Sequence, residues 1–241
     1  MSDEKIFLTG ASSGIGWALA VHWARPGTTL GLVARRAERL TTLQSSLRES
    51  GATVFTYARD VSDCEGMKDA ADSFLADAGG ITTVVANAGI GGPDRLAEGS
   101  AERAARIISV NVQGVIHTIA PFIPSLMAQK HGRIVTVGSV AGFRGMPGRA
   151  VYNASKAAVK TLMDGYRIAL RRHGIRVTTI CPGFVKTELT AKNTFAMPFV
   201  IEASEAARLI VKAVARGRKT YVFPWQWRLL LPLIVRVPDR F

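Results

Sequence analysis

A short apolar run, Ile6-Phe7-Leu8, opens directly into Thr9-Gly10-Ala11-Ser12-Ser13-Gly14-Ile15-Gly16, and a helical stretch follows from about Trp17 to Arg25. This succession of buried strand, glycine-rich turn and helix constrains the fold more than any other segment. The first amides of a helix have no partner within it, and the positive end of its dipole lies beside them. A strand that delivers the chain into such a turn therefore makes a seat for a pyrophosphate. Gly10 permits the tight turn, Gly14 lets the backbone approach phosphates, and Gly16 lets helix and strand pack closely, with Ser12, Ser13 and Ile15 completing the loop. The spacing is G-x-x-x-G-x-G rather than G-x-G-x-x-G, so the loop belongs to a different branch of dinucleotide sites.

The alternation continues along the chain. Strands are expected near 5–9, 29–34, 53–58, 82–87, 132–138, 175–181 and 219–223, and helices near 14–25, 37–50, 62–77, 100–130, 149–173 and 203–217. Strands separated by helices imply right-handed crossovers. The expected architecture is a single doubly wound, Rossmann-type α/β domain, a parallel sheet of about seven strands with helices on both faces. At 241 residues and 48% hydrophobic content the chain is ordinary in length for one such sheet and can bury a large core.

The second expected strand ends in Arg35-Arg36, with Arg35 21 residues beyond Gly14. A carboxylate there would hold ribose hydroxyls and repel a 2′-phosphate, whereas an arginine offers that phosphate a planar fork of donors. Cations are otherwise disfavoured at a helix start. NADP(H) is the expected cofactor.

Tyr152 and Lys156 are four apart, so a helix puts them on one face about a turn from each other. A phenol keeps its proton to about pH 10, and a nearby cation lowers that value. Taken with the loop, these residues resemble the short-chain dehydrogenase/reductase family, and the likeness runs from about Lys5 to Val222. Asp60-Val61 is similar to the family's adenine-contacting pair, and Asn87-Ala88-Gly89 to the segment after the fourth strand, with Ala86 where many members carry a second Asn. Asn111 matches the asparagine of the long central helix. Ser139 lies 13 residues before Tyr152, the family spacing, and Pro182-Gly183, Val185 and Thr187 match the loop over the nicotinamide.

The resemblance implies roles. Tyr152 exchanges a proton with the substrate oxygen, and Lys156 lowers the phenol's pKa and binds the nicotinamide ribose. Ser139 holds the substrate oxygen, and Asn111 anchors a water that connects Lys156 to solvent. The implied activity is NADP(H)-dependent interconversion of a ketone or aldehyde with its alcohol. The alternatives are a 3-oxoacyl thioester reductase and a non-catalytic NADP-binding partner or sensor. Ser139, Phe143, Met146, Phe184, Phe195, Met197 and Phe199 are the expected pocket residues, the last three in a variable, lid-like stretch between Thr187 and Glu202, and they suggest an apolar substrate.

Charge and cysteines narrow the remaining classes. The net charge of +13 comes from dispersed cations with no run of five, and no nucleic-acid motif accompanies it, so nucleic acid is not an expected partner. Cys64 and Cys181 lie 117 positions apart and the four histidines lack ligand neighbours, so no metal is expected. The first strand begins a few residues after Met1, which with two lone cysteines points to the cytoplasm. A homodimer or homotetramer is the expected assembly.

Residues 1–222 then form the cofactor-binding, catalytic domain, and 223–241 an apolar tail. The tail's Trp225, Trp227 and arginines suit a membrane interface, another subunit or the chain's own domain, and it is too short to span a bilayer. Pro232 is expected to bend it or split it into two helical pieces.

Overall fold

The computed structural model describes residues 3–93, 98, 101–191, 193 and 195–237. Residues 1, 2, 94–97, 99 and 100 of the expected domain, Lys192 and Thr194 of the expected lid, and 238–241 of the expected tail lie outside the described residues.

Seven parallel strands form the main sheet: β1 (Glu4–Thr9), β2 (Thr28–Ala34), β3 (Thr53–Ala58), β4 (Thr83–Ala86), β5 (Gly132–Val137), β6 (Ile175–Pro182) and, after a further pair, β9 (Thr220–Phe223). Their order is β3-β2-β1-β4-β5-β6-β9. The chain winds outward from β1 to β3, then returns to β4 on the other side of β1. Beyond the C-terminal ends of β1 and β4 the two windings part, and ligands of such sheets bind in the crevice that opens there.

Burial follows from the sequence of each strand. β1, β2, β5 and β6 are near-continuous apolar and threonine runs, as strands covered on both faces require, whereas the edge strand β3 is only partly buried. On one face α1 (Gly14–Trp23), α2 (Ala37–Ser46) and α8 (Ala203–Ala215) bring Leu19, Trp23, Leu40, Leu43 and Ile210 onto the sheet. On the other face α3 (Cys64–Ala78) supplies Met67 and Phe74, joined by Ile119 and Phe122 of the central helix and by Met163. Phe7 of β1 meets Phe122 and Phe74 there, with ring centroids at 4.8 and 5.5 Å.

The central helix departs from the uninterrupted helix expected over 100–130. It consists of α4 (Glu102–Ile108), a π-helical turn at Ser109–Gln113, α5 (Gly114–Ile119), a 3-10 turn at Ala120–Phe122 and α6 (Ile123–Gln129). The π turn lies around Asn111 and the tight turn around Pro121, which has no amide to donate. The 21-residue α7 (Ala150–Leu170) carries the Tyr152–Lys156 pair.

Two further differences concern the C-terminal third. Within the expected lid, β7 (Val185–Lys186) and β8 (Ile201–Glu202) form a parallel two-stranded pairing, too short for any hydrophobic period to announce. In the tail, α9 (Trp225–Ile234) is one continuous helix rather than two pieces. Pro232 lies so near its end that only two helical residues follow, and the Val235 amide still reaches Leu231 O at 3.0 Å.

Candidate active site

The glycine-rich loop takes the shape its sequence implies. Gly14 has φ +54°, in the left-handed region that side chains resist, and it starts α1 beneath the Thr187 side chain. Gly16 is the most constrained position, since a Cβ there would lie 2.1 Å from Gly10 O and 2.6 Å from Asn87 Nδ2. Asn87 fastens the loop from the end of β4, its Nδ2 donating to Thr9 O (3.0 Å) and Gly10 O (3.3 Å). The buried Thr9 hydroxyl accepts from the amides of Asn87 (3.2 Å) and Ala88 (3.3 Å). In the sequence Thr9 reads as the end of the first strand and the head of the glycine-rich loop. Its role follows from β1 and β4 being neighbours, which no local pattern states.

The two arginines after β2 are not equivalent. Arg36 caps α2 and turns onto the loop, Nη2 donating to Ser12 Oγ at 3.1 Å, while Nη1 donates to Glu188 Oε2 at 3.0 Å. Arg39 is 3.9 Å from the same carboxylate. Arg35 is largely exposed and stands 3.9 Å from Asp60. Asp60 receives Arg106 Nη2 at 2.6 Å and the Ser62 hydroxyl at 2.8 Å. Burial opposes ionisation of Asp60, but the Ser62 amide and hydroxyl and the Arg106 guanidinium outweigh it and hold the carboxyl below its ordinary pKa. Val61 is buried against Gly114. Arg106 and Glu188 carry no sequence signal beyond their charge.

Asn111, 1% exposed, is turned inward by the π turn. Its Oδ1 accepts the Ile90 amide at 2.8 Å, and Nδ2 donates to Ile90 O and Ser155 Oγ, both at 3.0 Å. The asparagine thus ties the segment after β4 to α7. A Cβ on Gly89 would lie 3.3 Å from Asn111 Oδ1 and 3.4 Å from Lys156 Nζ, so these two groups flank one small space.

Ser139 follows β5 and caps a 3-10 turn, Val140–Phe143, with its hydroxyl accepting from Ala141 N at 3.0 Å. That turn lies against α7 because Gly142 has no side chain: a Cβ would meet the Lys156 carbonyl carbon at 2.8 Å. The buried Asn153 holds the same turn, Nδ2 donating to Ala141 O at 2.7 Å. Ser139 is thereby brought into hydrogen bonding with the Tyr152 phenol. Lys156 is buried, donates to Val137 O at 3.1 Å, and stands 5.9 Å from the centre of the Tyr152 ring. Burial pushes the Tyr152 phenol up, against the opposing pull of Ser139 and Arg149. Burial also pushes Lys156 down to about 8. The expected lowering of the phenol by Lys156 is not what this arrangement gives, because desolvation dominates both groups.

The expected pocket residues divide. Phe184, between β6 and β7, meets Phe195 at 5.9 Å, and both belong to a ring cluster with Trp227 of α9, which is 5.9 Å from Phe184 and 6.2 Å from Phe199. Arg149 lies 4.7 Å over Phe195 and donates to Asn193, which in turn reaches the Met197 sulfur at 3.3 Å. Phe143 departs from this group and lines a cleft against Val222, Leu231 and Val235, while Met146 is exposed. Leu189 was missed: a Cβ on Gly91 would lie 3.3 Å from its Cδ1 and 3.7 Å from Tyr152 Cε2. Pro182 ends β6, and Gly183 donates its amide to Phe223 O at 2.7 Å. Val185 is buried, and Thr187 overhangs Gly14.

The pattern of the family described as short chain dehydrogenase matches residues 4–197. A Myxococcus xanthus protein named as an uncharacterized oxidoreductase is 42% identical over 226 residues, covering 94% of this chain and 89% of that protein. Among solved structures, a Burkholderia phymatum short chain dehydrogenase/reductase in complex with NAD superposes with a TM-score of 0.87 at 28% identity, over 99% of this chain and 94% of that one. A Sphingobium yanoikuyae short-chain dehydrogenase in complex with NADPH gives a TM-score of 0.84 at 29% identity, over 99% and 100%.

Proposed function

Because this chain belongs to the short chain dehydrogenase family, we propose that it is an NADP(H)-dependent oxidoreductase interconverting an apolar ketone or aldehyde with its alcohol. One observation carries the reading: Ser139, Tyr152, Lys156 and Asn111 converge beside the glycine-rich loop, at the C-terminal edge of the sheet.

The residues present fit a dinucleotide. The loop offers backbone without side chains at Gly14 and Gly16, with the N-terminus of α1 behind it. Arg36 on Ser12, with Arg35 nearby, would hold a 2′-phosphate, which would take the place of the Glu188 carboxylate. Asp60, Val61, Asn87, Ala88 and Gly89 would line the adenosine side, and Pro182, Gly183, Val185 and Thr187 the nicotinamide side. When bound, the cofactor supplies or accepts the hydride.

The chain's own groups do the rest. Tyr152, held protonated by burial, donates to the carbonyl oxygen during reduction. Ser139 shares that oxygen as a fixed donor aimed at its developing charge. Lys156, pushed down to about 8, carries a proton it can release near neutral pH and so restores the phenol, with Asn111 completing the route at the space beside Gly89. The rings of Phe184, Phe195 and Phe199 exclude water and favour an apolar substrate. A homo-oligomer belongs to this reading, since Ile108, Ile116 and the 80% exposed Ile168 leave apolar groups on the outer helices for a second copy to cover.

The test is a screen of NADPH oxidation over ketones, aldehydes and acyl thioesters of varied length. Turnover of apolar ketones or aldehydes, faster with NADPH than with NADH, is the expected result. Turnover confined to thioesters would replace it with a 3-oxoacyl thioester reductase, and NADPH binding without turnover would make the chain a sensor.

A further inference from the structure

Helix α9 separates the tail into two faces. On the inner face Trp227 packs against Gly183 so closely that a Cβ there would lie 2.1 Å from the indole nitrogen, and its ring meets Phe184 and Phe199. Leu231 is buried. Arg144 secures the helix end, Nη1 donating to Ile234 O at 2.9 Å and also to Val237 O. Of the three readings open for the tail, membrane interface, another subunit or the chain's own domain, Trp227 takes the last.

The outer face is different. Trp225, Leu229 and Leu233 recur every four residues, which aligns them in one stripe, and they are 64%, 64% and 62% exposed. Val235 and Val237 continue the exposed apolar surface beyond the helix. Arg228 and Arg236 are exposed beside the stripe, and residues 223–237 contain no Asp or Glu.

We propose that this outer face docks the protein onto an anionic lipid surface. Trp225, Leu229 and Leu233 enter the boundary between headgroups and acyl chains, and Arg228 and Arg236 meet lipid phosphates. Charge selects this occupant. Two copies packed stripe to stripe about a two-fold axis would bring these arginines together with no carboxylate among residues 223–237 of either copy to pair them, and burying unpaired charge is costly. An anionic surface complements the same arginines, and the net charge of +13 draws the whole protein toward it. The inner face of α9 touches Phe199 of the pocket cluster, so docking sets that cluster, with the exposed Phe195, Phe199 and Val200, close to the lipid. The docking rests on the surface alone and stands whatever reaction the site performs.

The experiment is sedimentation of the full chain with vesicles of phosphatidylcholine containing phosphatidylglycerol, alongside pure phosphatidylcholine. It is paired with quenching of tryptophan emission by brominated lipid and with light scattering without lipid. The expected result is binding to the anionic vesicles and quenching that Trp225→Phe removes. Leu229→Ser/Leu233→Ser and Arg228→Glu/Arg236→Glu should each weaken vesicle binding by about tenfold or more, with the oligomeric state unchanged. Absence of binding by the wild type would overturn the proposal, as would binding that both double variants retain. A shift of Leu229→Ser/Leu233→Ser to smaller species in light scattering would overturn it in favour of a second copy.

Discussion

Lys156→Met is expected to make the protein more stable while disabling it. The lysine is 7% exposed, and burial pushes its ammonium from 10.5 to about 8. At about 1.4 kcal/mol per pH unit, the charged side chain opposes folding by roughly 3 kcal/mol at neutral pH. Methionine keeps the apolar stem and removes the charge. At pH 7 the variant should gain roughly 3 kcal/mol, or about 6–12 °C in Tm for a chain of this size. The pH dependence identifies the cause. Below pH 8 both the folded and unfolded wild type hold the proton, and the penalty is complete. Between pH 8 and 10.5 the unfolded chain still binds a proton that the folded chain has released, so wild-type stability rises with pH and the advantage of methionine shrinks. Urea unfolding of both proteins from pH 7 to 10.5, without cofactor, measures this directly. A variant no more stable at pH 7, or a difference independent of pH, would show that the buried charge of Lys156 does not oppose folding.

Asn111→Leu should cost about 2–4 kcal/mol in urea unfolding, since it strands both backbone groups of Ile90 and removes the donor to Ser155 Oγ; an unchanged midpoint would count against the tie. Gly16→Ala should abolish cofactor binding in a fluorescence titration, because its Cβ would fall 2.1 Å from Gly10 O, and intact affinity would show that the loop has another shape. Arg36→Ala should weaken NADPH far more than NADH, and Glu188→Gln should tighten NADPH by a few-fold by freeing one arm of Arg36. Equal effects on the two cofactors would move the 2′-phosphate elsewhere.

What could be read before folding was whatever local chemistry dictates. The G-x-x-x-G-x-G loop, the alternation of strands and helices and the four-residue spacing of Tyr152 and Lys156 are local, and the seven-stranded parallel sheet follows from them. Contacts between distant segments left no such trace. Thr9 binds the start of the segment after β4 because the crossover makes β1 and β4 neighbours. Glu188 reaches Arg36 across 152 positions of sequence. Trp227 and Phe143 carried the same apolar signal as surface or pocket residues, and only the docking of α9 assigned one to the ring cluster with Phe184 and Phe199 and the other to the cleft beside the helix. The π turn at Asn111 was hidden for another reason, since one extra residue in a helical turn barely alters the hydrophobic period. The phenol's raised pKa reflects burial, which a motif does not report.

In the proposed reaction Tyr152 transfers the proton of a nicotinamide-linked carbonyl reduction. This transfer is tested most directly by comparing Tyr152→Phe with the wild type on the best substrate of the screen, measuring NADPH affinity by fluorescence titration and turnover by NADPH oxidation. The expected result is nearly unchanged affinity and turnover lower by ~10²-fold or more, the scale of general acid catalysis. Near-normal turnover by the phenylalanine variant would contradict it.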